Sequence, residues 1–279
     1  MLNRIPDRRL ITWLRLLDAR AVSAPGGEGL FLAEGDDFVD ELDLGSPQDA
    51  GNKDVDEVYE ALHDALSRPG FVFFQKVQSF MGRISLIDKW HRGRNTVEDE
   101  TEVMHIASKI SRDLNRLFQQ RPPLMDLVSH DKLMQPHLSE ALASSITRCL
   151  RTYLANYYAS FIHLHRVAYV HLPRTQNVYK ALSTIRQMAR MMVGDAHTSD
   201  EPLPVNMLWP LLMWGSEEDS QEERVWIISN VRKMGDIATN ASITADVLEE
   251  VQKRQDATKA RVDIRSVMQD IFNSSFAIV

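Results

Sequence analysis

The sequence has 279 residues, 44% apolar and 25% charged, which is typical of a globular protein long enough to bury a substantial core. The formal net charge is −7 and no strong basic stripe is present, so unaided DNA binding is not expected. The single cysteine, Cys149, excludes an intramolecular disulfide and a six-cysteine zinc cluster within these residues, and it fits cytosol or nucleus. No apolar run approaches the roughly 20 residues that span a bilayer, so no membrane association is expected.

Apolar residues recur at helical spacing along most of the chain, and no strand pattern is convincing. An acidic loop is expected at residues 34–54. The sequence therefore predicts an all-α fold, a single large domain over residues 1–279 with about ten helices. In chain order the predicted helices are 8–23, 55–66, 71–91, 95–120, 139–171, 177–193, a short helix ending at residue 215, 221–240, 244–255 and 264–272.

Local signals set the expected helix ends. Pro69 and Gly70 are expected to separate the second helix from the third, because proline lacks a backbone donor and clashes with the preceding turn. Asn95 is expected to cap the helix that follows it. Ser220 and Glu223 have the Ser-x-x-Glu spacing of a capping box, which predicts the start of another helix.

The most apolar stretch runs from Met207 to Trp214, and such a segment must be covered on nearly all sides. Pro210 removes a backbone donor there and disfavours the α conformation at Trp209, while Gly215 permits a left-handed turn. These features predict a short, bent, buried helix at the centre of the fold. The favoured interpretation is a core helix; the alternative is that the indoles of Trp209 and Trp214 line a pocket for an apolar effector.

This stretch also carries a motif. Trp209-Pro210-Leu211, followed by Gly215-Ser216-Glu217 and then Arg224, resembles the signature of the fungal-specific transcription factor domain. That domain is the helical regulatory region found downstream of a binuclear zinc cluster in many fungal regulators. The same family is resembled, in the same order, by residues 14–32, 91–123, 157–169 and 247–265. The residues that carry the resemblance, mainly in structural roles, are Asp18, Arg94, Glu100, Arg121, Pro122, His165, Arg166, Trp209, Pro210, Gly215, Glu217 and Arg224.

The resemblance implies a nuclear regulator of transcription without catalytic residues, cofactor or metal. It would act through transcription-machinery or co-regulator proteins, through self-association or through an apolar effector. The usual zinc cluster, linker and first helices are not found in this sequence, so direct DNA binding is not expected from it. The family more often has Trp where Gln252 or Ile264 stands here, which weakens the local match at the closing helices. A helical interaction scaffold without a transcriptional role remains an alternative.

A second alternative is a helical terpenoid-type enzyme, because Asp36, Asp37 and Asp40 have the Asp-Asp-x-x-Asp spacing that holds Mg²⁺ against a diphosphate. The motif lies in a Gly-rich acidic loop, however, and the second motif lacks its glutamate, since Ile243 stands where it is needed. No other pair of carboxylates stands out from the solvated acids.

The histidines and the cysteine of the long helix are expected to be structural. His163 and His165 are two residues apart and point to nearly opposite sides of a helix, so they do not predict a metal site. Cys149 is expected to be an inert core thiol.

Overall fold

The computed structural model describes residues 55–128, 138–196 and 201–273, with side chains from residue 62 onward. Within these ranges the chain is all-α, as predicted, and no strand occurs. The predicted helix 8–23, the loop 34–54, Asp18 and the Asp36-Asp37-x-x-Asp40 motif lie outside the described residues. The helices are α1 (Val55–Ser85), α2 (Val97–Gln119), α3 (Leu124–Val128), α4 (Glu140–Ala168), α5 (Gln176–Gly194), α6 (Leu208–Gly215), α7 (Gln221–Lys233), α8 (Ala241–Thr258) and α9 (Ile264–Phe272).

Helix α4 is the axis of the bundle: 20 of its 29 residues are buried, and it packs against α1, α2, α3, α5 and α6. It carries several buried polar residues, and their side chains bond to carbonyls one turn earlier. Thr147 donates to the carbonyl of Ala143 at 2.6 Å, and Ser160 donates to that of Asn156 at 3.1 Å. Such bonds within the helix help to satisfy polar groups inside a core.

Helix α6 is buried along its whole length and packs against α4, α5, α7 and α8, so the predicted central helix is confirmed. Two of the reasons given for it were wrong. Trp209 is helical and Pro210 lies in the first turn of α6, where a backbone N–H would have no helical partner anyway. Gly215 is also helical, and the next residue, Ser216, is right-handed (φ −73°, ψ −14°).

A glycine is needed at position 215 because neighbouring side chains leave no room for a Cβ, and not because the backbone turns there. A Cβ at this position would lie 2.7 Å from Cδ2 of Leu248 and 3.3 Å from Cγ2 of Ile227. Both neighbours are fully buried core residues, on α8 and α7. The glycine therefore lets these two helices approach α6 closely.

The predicted break at Pro69 and Gly70 was wrong, because α1 runs continuously from Val55 to Ser85. Pro69 is exposed, whereas Gly70 is buried against Leu150 and Tyr153 of α4. We attribute the continuity to the long contact between α1 and α4, whose burial of apolar surface outweighs the roughly 3 kcal/mol cost of an interior proline.

Two predicted caps changed in detail. Thr96, not Asn95, caps α2: its hydroxyl accepts from the amide of Asp99 at 3.1 Å, and Asp99 accepts from the amide of Thr96 at 3.0 Å. The amide of Asn95 also donates to the carboxylate of Asp99, at 3.0 Å, and this bond and the one from the amide of Thr96 lower the pKa of Asp99. Ser220 caps α7 as predicted, accepting from the amide of Glu223 at 3.5 Å. The carboxylate of Glu223 pairs with Arg190 at 2.9 Å, so only the serine half of the capping box is seen.

Candidate functional site

Glu217 follows the buried helix α6 and is itself only 2% exposed. Its carboxylate accepts from Nη1 of Arg166 at 2.5 Å, Nε of Arg174 at 3.0 Å and Nε of Arg261 at 2.9 Å. We call these four residues the Glu217 cluster. Burial alone would raise the pKa of Glu217, but the guanidinium groups, Arg166 foremost, outweigh that effect and hold the pKa below its ordinary value.

The cluster joins distant parts of the chain. Arg166 lies in the last turn of α4, Arg174 between α4 and α5, and Arg261 between α8 and α9. Two of these arginines also bind backbone carbonyls. Arg166 donates to the carbonyls of Ser216 and Val262, at 3.0 and 2.6 Å. Arg261 donates to the carbonyl of Leu172 at 2.6 Å. The ion cluster therefore closes three loops against the end of α4.

Glu218 is a second buried carboxylate, 8% exposed, directed away from this cluster. It accepts from the indole N–H of Trp214 at 2.7 Å, from Nη2 of Arg186 at 2.6 Å and from the amide of Ser220 at 2.9 Å. Burial would raise the pKa of Glu218, and these three donors lower it below the ordinary value. Adjacent acids thus link the end of α6 to α4 on one side and to α5 on the other.

A cavity of about 400 Å³ lies beside the Glu217 cluster. Its wall includes one face of α4 (His163, Arg166 and Val167), the face of α6 that carries Trp209 and Met213, and Ile264, Arg265 and Met268 of α9. The segment between α1 and α2 closes another side with Trp90 and Arg94. Residues at i, i+3 and i+4 share a helix face, so each helix presents one stripe to this space.

The charged residues of the wall are held in pairs. Arg94 forms a two-point ion pair with Glu100, at 2.8 and 2.5 Å, and donates to the carbonyl of Val167 at 2.5 Å. Arg265 pairs with Asp88 at 2.6 Å, and Lys89 pairs with Asp263 at 3.0 Å. Arg166 and Arg261, which also belong to the wall, share Glu217.

Two aromatic groups meet in the same wall without saturating their hydrogen bonds. The rings of His163 and Trp209 are edge to face, with centroids 5.0 Å apart. They are 8% and 7% exposed, and neither Nε2 of His163 nor Nε1 of Trp209 has a hydrogen-bond partner among the described residues. Burial, with the positive charges of Arg265 and Arg166, lowers the pKa of His163 to about 3, so the imidazole is neutral at neutral pH.

The family model described as "Fungal specific transcription factor domain" matches residues 66–277, well over half of the chain. The chain belongs to the fungal-specific transcription factor domain family. Searches of curated proteins and of solved structures found no match. Since the domain of this family is a transcription factor region, a role in transcriptional regulation follows at that coarse level.

The structure brings some signature residues of this domain together and leaves others apart. Glu217 and Arg166 meet directly, and Arg94 with Glu100 lies in the adjoining cavity wall. Arg224 contacts the residue next to Glu217, because its Nε donates to the backbone carbonyl of Glu218 at 2.7 Å. Its Nη1 pairs with Asp256 at 2.7 Å.

Other signature residues of the domain lie elsewhere. Arg121 follows the C-terminal end of α2 and pairs with Asp126 at 2.6 Å. Its guanidinium carbon lies 3.9 Å from the centre of the Phe118 ring. Pro122 begins the turn into α3, its carbonyl accepting from the amide of Met125 at 3.0 Å. His165 is buried 5.8 Å from the ring of Tyr169, and burial, with the charge of Arg261, lowers its pKa.

Of the two tryptophans proposed for an effector pocket in this domain, Trp209 lines the cavity. Trp214 is fully buried apart from it, against Glu218 and Trp226. Gln252, where the family more often has Trp, donates to the carbonyl of Gly215 at 2.9 Å. It thus satisfies a backbone group that α6 leaves open at its end.

Sequence reasoning included Glu217 in the motif but did not foresee that Glu217 and Glu218 are both buried. The expectation that no pair of carboxylates stands out was wrong, because Glu217 and Glu218 are both buried and ion-paired. Arg174, Arg261 and His163 were not singled out as partners or wall residues. The one available signal was the position of both acids directly after an apolar helix that must be buried.

Three further features of the described residues concern metal binding, the cysteine thiol and membrane insertion. Among the described side chains, no group of three or more His, Cys, Asp and Glu could hold a metal ion. Cys149 is half-buried, and burial raises the pKa of its thiol. None of the described helices combines the length and apolar character that a bilayer crossing requires.

Proposed function

We propose that this chain is the regulatory domain of a nuclear transcriptional regulator, which acts by contacting transcription-machinery or co-regulator proteins. The family match over residues 66–277 is the observation that carries the proposal. The acidic balance of the chain supports a role exerted through protein partners in place of direct contact with DNA.

The buried ion network supports a domain that responds as one unit. Arg166 and Arg261 border the cavity and also bind Glu217, and the next residue, Glu218, binds Arg186 on α5. A change at the cavity wall would therefore be passed through adjacent acids to the half-exposed side chain of Arg186. Self-association and an apolar effector beside Trp209 remain routes by which partners or small molecules could bias this network. We propose mainly structural roles for the signature residues.

A reporter assay tests the proposal. The whole chain would be fused to a heterologous DNA-binding module whose sites lie upstream of a reporter gene in yeast. We expect a severalfold rise or fall in reporter output relative to the module alone at equal protein level. An output equal to that of the module alone would refute a regulatory role and leave the helical scaffold as the better description.

A matched pair of variants shows whether the folded domain is responsible. The fusion that carries Glu217→Gln disturbs the buried cluster and should lose the effect, whereas Glu249→Gln changes an exposed ion pair with Arg232 and should keep it. The enzyme alternative is tested separately, by measuring Mg²⁺-dependent release of diphosphate from a prenyl diphosphate. We expect no release above that of protein-free buffer.

A further inference from the structure

The cavity between α4, α6 and α9 has the charge and hydrogen-bonding character of a ligand site. Its volume of about 400 Å³ lies within the range of roughly 300–1,000 Å³ that is usual for small-molecule pockets. Apolar side chains such as Trp209, Met213 and Met268 contribute much of the wall. A small number of polar groups in a mainly apolar wall is the arrangement that fixes the orientation of a bound molecule.

Cations outnumber carboxylates among the described residues around this space. Three carboxylates of the wall each pair with one cation: Glu100 with Arg94, Asp88 with Arg265 and Asp263 with Lys89. The two remaining wall cations, Arg166 and Arg261, share the single carboxylate of Glu217. Counting only the described residues, five wall cations pair with four carboxylates, and the low dielectric of a buried wall strengthens the resulting positive potential.

A buried hydrogen-bond donor without an acceptor also favours a negatively charged group in the cavity. Within the described parts of the chain, the indole N–H of Trp209 is a donor without an acceptor. Nε2 of His163 also lacks a partner there, and it donates or accepts according to the tautomer of the neutral imidazole. Buried polar groups are normally paired, so such atoms call for an explanation. Both nitrogens are shielded from solvent, so an occupant reaches them only after neighbouring side chains move.

We propose that this cavity binds a small amphipathic organic acid, with an apolar body against Trp209, Met213 and Met268 and one carboxylate directed to the indole N–H of Trp209 under the positive potential of the arginines. The carboxylate supplies an acceptor that Trp209 does not find among the described residues, and it offsets the excess of cations over carboxylates counted there. That such a ligand acts as an effector rests on the function proposed above; the binding itself does not.

Calorimetric titration of the purified protein with three probes of one shape tests the charge preference. The probes are 4-phenylbutyrate, 4-phenylbutan-1-ol and 4-phenylbutylamine, which carry a carboxylate, a hydroxyl and an ammonium group on the same apolar body. We expect one molecule of 4-phenylbutyrate to bind, the alcohol to bind about tenfold more weakly, and the amine to bind more weakly still. Equal affinities for the three probes, or no binding of the acid at millimolar concentration, would overturn the proposal.

A pair of tryptophan variants tests the position. Trp209→Phe keeps an aromatic ring and removes the unpaired N–H, and should weaken binding of 4-phenylbutyrate about tenfold. Trp214→Phe makes the same change on the same helix, at an indole whose N–H is already given to Glu218, and should leave the affinity unchanged. Equal effects of the two variants would contradict the proposed site.

The wild-type protein gives a reading that does not depend on variants folding. In an NMR titration, the indole N–H resonance of Trp209 should shift more than those of the other four tryptophans. A larger shift at Trp214 would place the ligand elsewhere and overturn the proposal. If no probe binds while the reporter fusion remains active, the ligand site is wrong and the regulatory function stands; binding with an inactive fusion gives the reverse conclusion.

Discussion

The Glu217→Gln variant removes one negative charge from the meeting point of three guanidinium groups while keeping the size of the side chain. In the folded protein the carboxylate is 2% exposed, and Arg166 beside it is also buried, with 7% of its side chain exposed. Breaking a buried ion pair by neutralising one partner typically costs about 3–5 kcal/mol, because the other charge is left without compensation. The amide oxygen of glutamine still accepts one hydrogen bond, so we expect a loss near the lower limit, about 3 kcal/mol.

Urea unfolding followed by circular dichroism measures this loss. The matched control is Glu249→Gln, which neutralises a partner of Arg232 at 3.0 Å whose side chain is 49% exposed. Exposed pairs contribute about 0–1 kcal/mol, so the control should shift the unfolding midpoint little, at an unchanged slope. The reasoning is refuted if the two variants differ by less than about 1 kcal/mol, since buried and exposed pairs differ by more than that.

The same variant carries a pH dependence of known sign. The folded-state pKa of Glu217 lies below its ordinary value of 4.5, so its stabilising effect is fully present above 4.5 and is lost as pH falls through the lower, folded-state value. The stability gap between the wild type and Glu217→Gln should therefore be constant from neutral pH to about pH 5 and shrink below it. A gap that stays constant to about pH 3 would contradict the lowered pKa.

Two further pairs of variants test local geometry by thermal unfolding. Gly70→Ala places a Cβ 2.2 Å from Cδ2 of Leu150 and should destabilise by about 1–3 kcal/mol, whereas Gly194→Ala meets nothing within 4 Å and should be neutral or stabilise by up to about 1 kcal/mol. Equal effects would show that α1 is not in close contact with α4. Thr96→Ala removes the α2 cap and should cost about 1 kcal/mol, while Asn95→Ala should stay within about 0.5 kcal/mol. A larger loss at Asn95 would instead support the cap expected from the sequence.

The helices could be predicted where apolar residues recur at the spacing of one buried helix face. The spacing of apolar residues predicted nearly every described helix, and the bounds 264–272 agree with those of α9. The errors came at residues whose effect depends on a distant neighbour. Gly70 meets Leu150 and Gly215 meets Leu248, and no pattern within a few residues indicates either contact.

The candidate site could be predicted only in part, for the same reason. Glu217 was singled out through its motif, but Arg166 and Arg261 lie 51 and 44 residues away along the chain. Charged residues are usually solvated, so composition alone places all three at the surface. Only the three-dimensional path of the chain after α6 and α8 brings their charges into the interior.

The energetics of the Glu217 cluster suggest what such burial achieves. A buried ion pair stabilises a fold no better, on average, than apolar residues of the same volume, so stability alone is a weak reason for placing charges here. Apolar side chains, however, could not hold the carbonyls of Ser216, Val262 and Leu172, which Arg166 and Arg261 bind while they bind Glu217. These directional bonds fix the connections after α4, α6 and α8 relative to one another. Since the same guanidinium groups border the cavity, we infer that the cluster sets the shape of that wall and that a ligand carboxylate would act on the loops through it.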